Sequence, residues 1–160
     1  MGPYRLLILA GPDVQELEVI GFAYAAQALG WPVTFTAPAT SALKGAHGLA
    51  LPLDKPLGAV DAAPYEALFV PRGAPTDAHA LALMAAFAGD AAGRLLLATN
   101  GGVEALRAVP GLEKTETTSP DLGVRLSGNL LIAARPGDLP ALAHALEATA
   151  RDRLPFKPKP

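Results

Sequence analysis

Three short apolar runs constrain this chain more than any other feature. Leu6–Ala10, Tyr65–Val70 and Arg94–Thr99 are too short to span a membrane. Leu6–Ala10 is continuously apolar, as expected of a strand buried on both faces, and the other two, apolar apart from Glu66 and Arg94, predict further buried strands. Turn chemistry follows each run at once: Gly11-Pro12-Asp13, Pro71-Arg72-Gly73 and Asn100-Gly101-Gly102. Segments of helical character come next. A strand buried on both faces needs a crossover to reach its parallel neighbour. This rhythm therefore predicts an α/β fold with a mainly parallel sheet, right-handed crossovers and helices on both faces.

The remaining elements fill in that frame. From Val14 to Leu29 the residues Leu17, Ile20, Ala23, Tyr24, Gln27 and Ala28 recur at helical spacing along one side, and Gly30 stands where a helix C′ glycine belongs. Pro32–Ala37 alternates as a second strand. Residues 38–64 are loop-rich, with a short extended piece at Leu49–Leu53. Asp77–Ala88 is predicted helical with Thr76 as N-cap, and Val103–Val109 is a short helix stopped by Pro110-Gly111. Residues 113–123 are polar and carry no clear pattern. Val124–Leu126 and Leu130–Ala134 form a hairpin around Ser127-Gly128-Asn129. Gly137-Asp138 caps a last helix with Pro140 in its first turn, running to about Arg151. The 160 residues fit one domain, 1–160, with a flexible tail from about 152.

Composition excludes several classes of function. There are no cysteines, so disulfides, thiolate nucleophiles and cysteine redox chemistry are absent. His47, His79 and His144 show no metal-ligand spacing, and neither a metal nor another cofactor is expected. The formal charge is −2 and no basic stripe is present, which argues against nucleic-acid and membrane-surface partners. Arg151, Arg153, Lys157 and Lys159 read as a solvated end. The apolar run Leu6–Ala10 is too short for a signal-peptide core, so a cytoplasmic location is expected.

In an open α/β sheet the ligand crevice lies at the carboxyl ends of the strands. Four segments reach that edge: Gly11–Glu18, Pro71–Pro75, Thr99–Gly102 and Arg135–Asp138. In this order they resemble the DJ-1/PfpI superfamily. The similarity is carried by Leu6-Leu7-Ile8-Leu9-Ala10 with Glu16-Leu17-Glu18-Val19-Ile20-Gly21, and by Ala46-His47-Gly48-Leu49 with Pro64-Tyr65-Glu66-Ala67-Leu68-Phe69-Val70-Pro71-Arg72-Gly73. Leu96-Leu97-Ala98-Thr99-Asn100-Gly101-Gly102 and Gly128–Gly137 complete it. The resemblance implies a flavodoxin-like three-layer sandwich, often a homodimer. It also implies a cysteine at a strained strand-to-helix elbow, supported by a nearby carboxylic acid. Activities in the family are peptidase-like, deglycase or glyoxalase-like, chaperone and isonitrile hydratase, and some members are ligand-sensing parts of transcription regulators. A helix-turn-helix finds no room after Arg151, so that mode of DNA binding is not expected here.

The chain departs from the family at the site itself. Asn100 stands at the cysteine position, Gly101 follows it, and the Pro-Gly-Gly loop reads Pro71-Arg72-Gly73. The histidine that some members carry has no counterpart between Gly111 and Ser127. A carboxamide is a poor nucleophile, and removing the nucleophile of an unrelated serine protease costs about 10⁶ in kcat. Asn100 either donates to a ligand or to Glu18, or serves only because asparagine tolerates a left-handed backbone. Thr99 should point away from Asn100 and has no placed base. Glu18 matches the family's acidic residue and is expected in the pocket, with Glu16 the solvated one of the pair. Arg72 can clamp a carboxylate or phosphate that also faces the Gly101 and Gly102 amides, or it can point outward or pair with Glu18. Trp31 is expected to pack at the helix–strand joint, and Glu104 to suit the dipole of the elbow helix. The expected ligand pocket is therefore Glu18, Arg72, Gly73, Ala74, Asn100, Gly101 and Gly102, holding a small, anionic metabolite in a non-catalytic or remodelled protein. The alternative is a hydrolase, lyase or glyoxalase-like enzyme with Glu18 as the candidate catalytic base.

Overall fold

The computed structural model describes residues 4–88 and 93–155. The first apolar run is β1 (Leu6–Leu9), followed by α1 (Glu16–Ala28) and β2 (Val33–Ala37). Within the loop-rich stretch, β3 (Leu43–Lys44) and β4 (Ala50–Leu51) pair as a small antiparallel ladder, and β5 (Lys55–Pro56) joins the main sheet. Then come β6 (Ala67–Val70), α2 (Ala78–Ala88), β7 (Leu95–Thr99), α3 (Val103–Arg107), β8 (Val124–Ser127), β9 (Leu130–Ala133) and α4 (Leu139–Arg153).

Seven strands form the main sheet in the order β5-β2-β1-β6-β7-β9-β8, all parallel except β8, which folds back on β9 as the expected hairpin. Strand alternation divides the core. Leu6, Ile8, Phe69, Leu97 and Leu131 pack under α1 and α4, with the Phe22 and Phe69 rings stacked at 4.3 Å. Leu7, Leu9, Leu68, Val70, Leu96 and Ala98 pack under α2 and α3. The result is a three-layer, flavodoxin-like α/β sandwich. The strand order reverses direction at β1, with β2 on one side and β6 on the other, so the crevice predicted for such sheets opens between the ends of β1 and β6.

Local signals fix most element ends. Gly30 has φ +87°, Gly30 N donates to Gln27 O, and Trp31 N donates to Ala26 O, the paired bonds of a Schellman cap. Trp31 is buried at this joint as expected, and its Nε1 donates to Glu147 Oε2 at 2.6 Å. Asp77, not Thr76, caps α2: its Oδ1 accepts from Ala80 N at 3.1 Å, because the helix begins one residue later than Thr76 requires.

Two expectations are corrected. The predicted apolar side of α1 does not face the core. Leu17, Ile20 and Tyr24 are exposed, Tyr24 by 77%, while Glu16, Glu18, Val19, Phe22, Ala23 and Ala26 are buried. Loop amides and the Thr99 hydroxyl satisfy the two glutamates, which frees the helix to turn a polar edge inward. The chain does not fray at residue 152 either: α4 runs to Arg153, Leu154 is buried, and Tyr4 Oη donates to Pro155 O. Arg151 Nε donates to Glu147 and Arg153 to Gly128 O. Lys157 and Lys159 lie outside the described residues.

Candidate functional site

Glu18 lies in the first turn of α1, beneath the ends of β6 and β7, and is only 3% exposed. Its Oε1 accepts from Arg72 N at 3.0 Å and from Thr99 Oγ1 at 2.5 Å. Thr99 Oγ1 in turn accepts from Gly102 N at 3.2 Å. One carboxylate oxygen thus ties three segments of the sheet edge together. The Thr99 hydroxyl is spent on that tie and is buried, so it is no replacement nucleophile.

Asn100 neither reaches Glu18 nor adopts a left-handed backbone. No non-glycine among the described residues has a positive φ, so the elbow is not left-handed at Asn100; it opens a single 3-10 turn, Asn100–Gly102. Its amide does not reach Glu18. Nδ2 donates to Thr118 O and Oδ1 accepts from Thr118 N, both at 2.7 Å. This reciprocal pair imitates a strand ladder and draws the patternless segment 113–123 across the elbow. Arg125 adds bonds to Glu116 O at 2.6 Å and to Thr118 Oγ1 at 3.4 Å. Both polar atoms of the Asn100 side chain are thus engaged by the protein's own backbone.

Arg72 is exposed and forms no ion pair with Glu18; only its backbone meets that carboxylate. Its stem lies on Gly101, where an added Cβ would come within 2.6 Å of Arg72 Cβ. Gly73 has φ +79°, and a Cβ there would sit 1.9 Å from Asp13 O, so glycine is required on both counts. Gly102 is buried, its missing Cβ leaving room for Val70 O. These close approaches form the floor of a cleft with two lobes. One, of about 410 Å³, is lined by Asp13, Gly73, Ala74, Thr76, Gly101, Glu104, Ala105 and Ala108. The other, of about 430 Å³, is lined by Asp13, Gln15, Ala46, His47, Arg72, Gly73 and Glu104. Asp13, Gly73 and Glu104 belong to both. Arg72, Gly73, Ala74 and Gly101 therefore line the cleft, while Glu18, Asn100 and Gly102 support it from behind. Arg135–Asp138 lines neither lobe.

The DJ-1/PfpI family profile matches residues 4–148, nearly the whole chain. The chain belongs to the DJ-1/PfpI family. Solved structures of the family share its fold. A two-domain protein from Anabaena variabilis, with DJ-1/ThiJ/PfpI-like and ferritin-like domains, superposes with TM-score 0.78 at 19% identity. That match covers 96% of this chain and 50% of the Anabaena chain, so this chain spans half its length. Oxidized DJ-1 from Toxoplasma gondii gives 0.75 at 17% identity, covering 94% of this chain and 92% of that one. A cysteine-to-alanine mutant of a DJ-1 superfamily protein from Salmonella typhimurium gives 0.72 at 23%, covering 95% and 91%. No curated protein matches the chain.

In this DJ-1/PfpI chain, α1 buries a second acidic residue two positions before Glu18. Glu16 is the largest correction. Expected in solvent, it is 3% exposed, and a loop wraps its carboxylate: His47 N and Leu49 N donate to Oε2 at 2.9 and 3.0 Å, and His47 Nδ1 lies 3.0 Å from Oε1. Burial alone would raise its pKa. The Leu49, Glu16 and His47 backbone amides and the His47 ring outweigh burial and lower it to about 2. Gly45 is needed beside it, since a Cβ there would lie 2.5 Å from Glu16 Cγ.

Asp13, Thr76 and Thr118 are absent from the pocket expected from the sequence. Asp13 was legible as a turn residue inside a segment predicted to reach the carboxyl edge of the sheet. Thr118 carried no signal, because its contribution is backbone. The elbow helix α3 has five residues, ending before the predicted Val109, and Glu104 in its first turn faces the cleft. Among the described residues no group of three or more His, Asp or Glu side chains is arranged to hold a metal, and no helix is long and apolar enough to cross a membrane.

Proposed function

We propose that this DJ-1/PfpI protein binds a small metabolite with an anionic group, without thiol catalysis, in the cleft floored by Gly73 and Gly101. The observation that carries the reading is Arg72. Its guanidinium makes no hydrogen bond or ion pair with any described residue, and it stands over a glycine that the arginine stem itself requires. Beside it the Gly73 N–H donates to no described residue, so a cation and a free amide donor adjoin one another at the cleft. Glu18 holds the Arg72 backbone in place, and the Asn100–Thr118 pair keeps the neighbouring segment closed. Thermal-shift screening with carboxylates and inorganic phosphate tests the reading. A raised Tm that Arg72→Ala abolishes supports it. No shift with any of them, in wild type or variant, overturns it.

The enzyme alternative, with Glu18 as base on a bound water, is the weaker reading because Glu18 is buried, lines neither lobe and has one oxygen already taken by two donors. The homodimer implied by the family fits the exposed stripe Leu17, Ile20 and Tyr24 on α1, and a cytoplasmic location goes with this reading. Sedimentation of Ile20→Glu is expected to give a monomer where the parent gives a dimer.

A further inference from the structure

We infer that the ligand of this cleft is a zwitterion of the amino-acid type, carrying a cationic amine as well as its anionic group. The inference rests on the ligand-binding reading above and sharpens its chemistry. The two lobes differ in charge. The lobe over Gly101 is lined by two acidic residues, Asp13 and Glu104, with no basic residue, and by Thr76. The lobe beside it shares those two acidic residues and adds Arg72 and His47. Opposite charges thus line one continuous cleft without neutralising one another: neither Asp13, Glu104 nor the Arg72 guanidinium makes an ion pair or side-chain hydrogen bond with a described residue.

That arrangement discriminates by charge. A simple anion would reach Arg72 and the Gly73 amide but would also meet two carboxylates, and like charges brought together oppose binding. A doubly charged phosphate meets that repulsion more strongly. A simple amine would find the carboxylates but lie near Arg72. A molecule with a carboxylate at one end and an ammonium at the other satisfies both lobes, the carboxylate on Arg72 and the Gly73 N–H, the ammonium between Asp13 and Glu104.

Calorimetric titration of the full chain with 4-aminobutanoate, 6-aminohexanoate, butanoate and butylamine at one ionic strength tests this. At least one amino acid is expected to bind ~10-fold or more tightly than either monofunctional compound. Glu104→Gln should shrink that preference while leaving butanoate binding equal or stronger. Arg72→Ala should abolish binding of butanoate and amino acid alike. If butanoate binds as tightly as both amino acids, or Glu104→Gln leaves the preference intact, the zwitterion inference falls and the ligand-binding reading stands. If none of the four binds but inorganic phosphate does, the inference again falls alone. If phosphate also fails to bind, both fall.

Discussion

Glu16 and Glu18 are two residues apart in one helical turn, equally buried, and they hold different things. Glu16 accepts from a single loop, at His47 and Leu49, and closes it against α1. Glu18 accepts from the ends of two different strands, at Arg72 N and Thr99 Oγ1, and so fixes the geometry of the sheet edge that carries the cleft. One partner of Glu16 is an exposed imidazole open to water; both partners of Glu18 belong to the packed edge. Burial of a carboxylate says little about its role until its donors are known. The same α1 turn supplies a loop fastener and a support for the site.

Removing Glu18 should have the largest effect. Glu18→Ala leaves the Arg72 amide and the Thr99 hydroxyl without an acceptor and should destabilise by about 3 kcal/mol in urea unfolding, whereas Glu18→Gln, which keeps an acceptor oxygen, should lose about half as much. Equal losses would mean that charge, not the acceptor geometry, holds the edge. Thr99→Val comes next, at about 2 kcal/mol, because it strands the Gly102 amide as well as removing a donor to Glu18. A loss as large as that of Glu18→Ala would place the edge's keystone at Thr99.

Glu16 should show itself through pH. Its folded pKa of about 2 lies below the ordinary glutamate value of 4.5, so its contribution is complete above about 4.5 and is lost as pH falls through about 2. Acid unfolding of Glu16→Gln followed by potentiometry should therefore take up about one proton fewer over that window, and an unchanged uptake would show that Glu16 is not held ionised by its loop. His47→Ala should have the smallest effect, lowering Tm by ~1 °C or less, since the exposed ring contributes little while the backbone amide still donates. A drop of several degrees would make the ring, not the main chain, the fastener.

The contrast also marks where sequence reading stopped. Buried strands and turn glycines are local patterns, and the structure places both as expected; Glu18, expected in the pocket, is buried behind it. The α1 face was misjudged because spacing of Leu17, Ile20 and Tyr24 mimics a core stripe, and a helix can bury glutamates only when distant loops supply donors. Asn100 was placed correctly at the elbow. Its partner was invisible, since a carboxamide binding a main-chain N–H and C=O asks nothing of the side chain at Thr118.

The sequence by itself determined the α/β order of elements, the four segments that reach the carboxyl edge and the absence of a thiol at the elbow. Each follows from residue type or from spacing along one element. Tertiary structure alone decided that Asn100 pairs with Thr118 across the elbow, that Arg72 lies along Gly101 with no ion partner among the described residues, and that Asp13 and Glu104 line the same cleft. Those facts depend on which distant main-chain groups and charges are brought within a few ångströms, a matter that helical or strand periodicity does not encode.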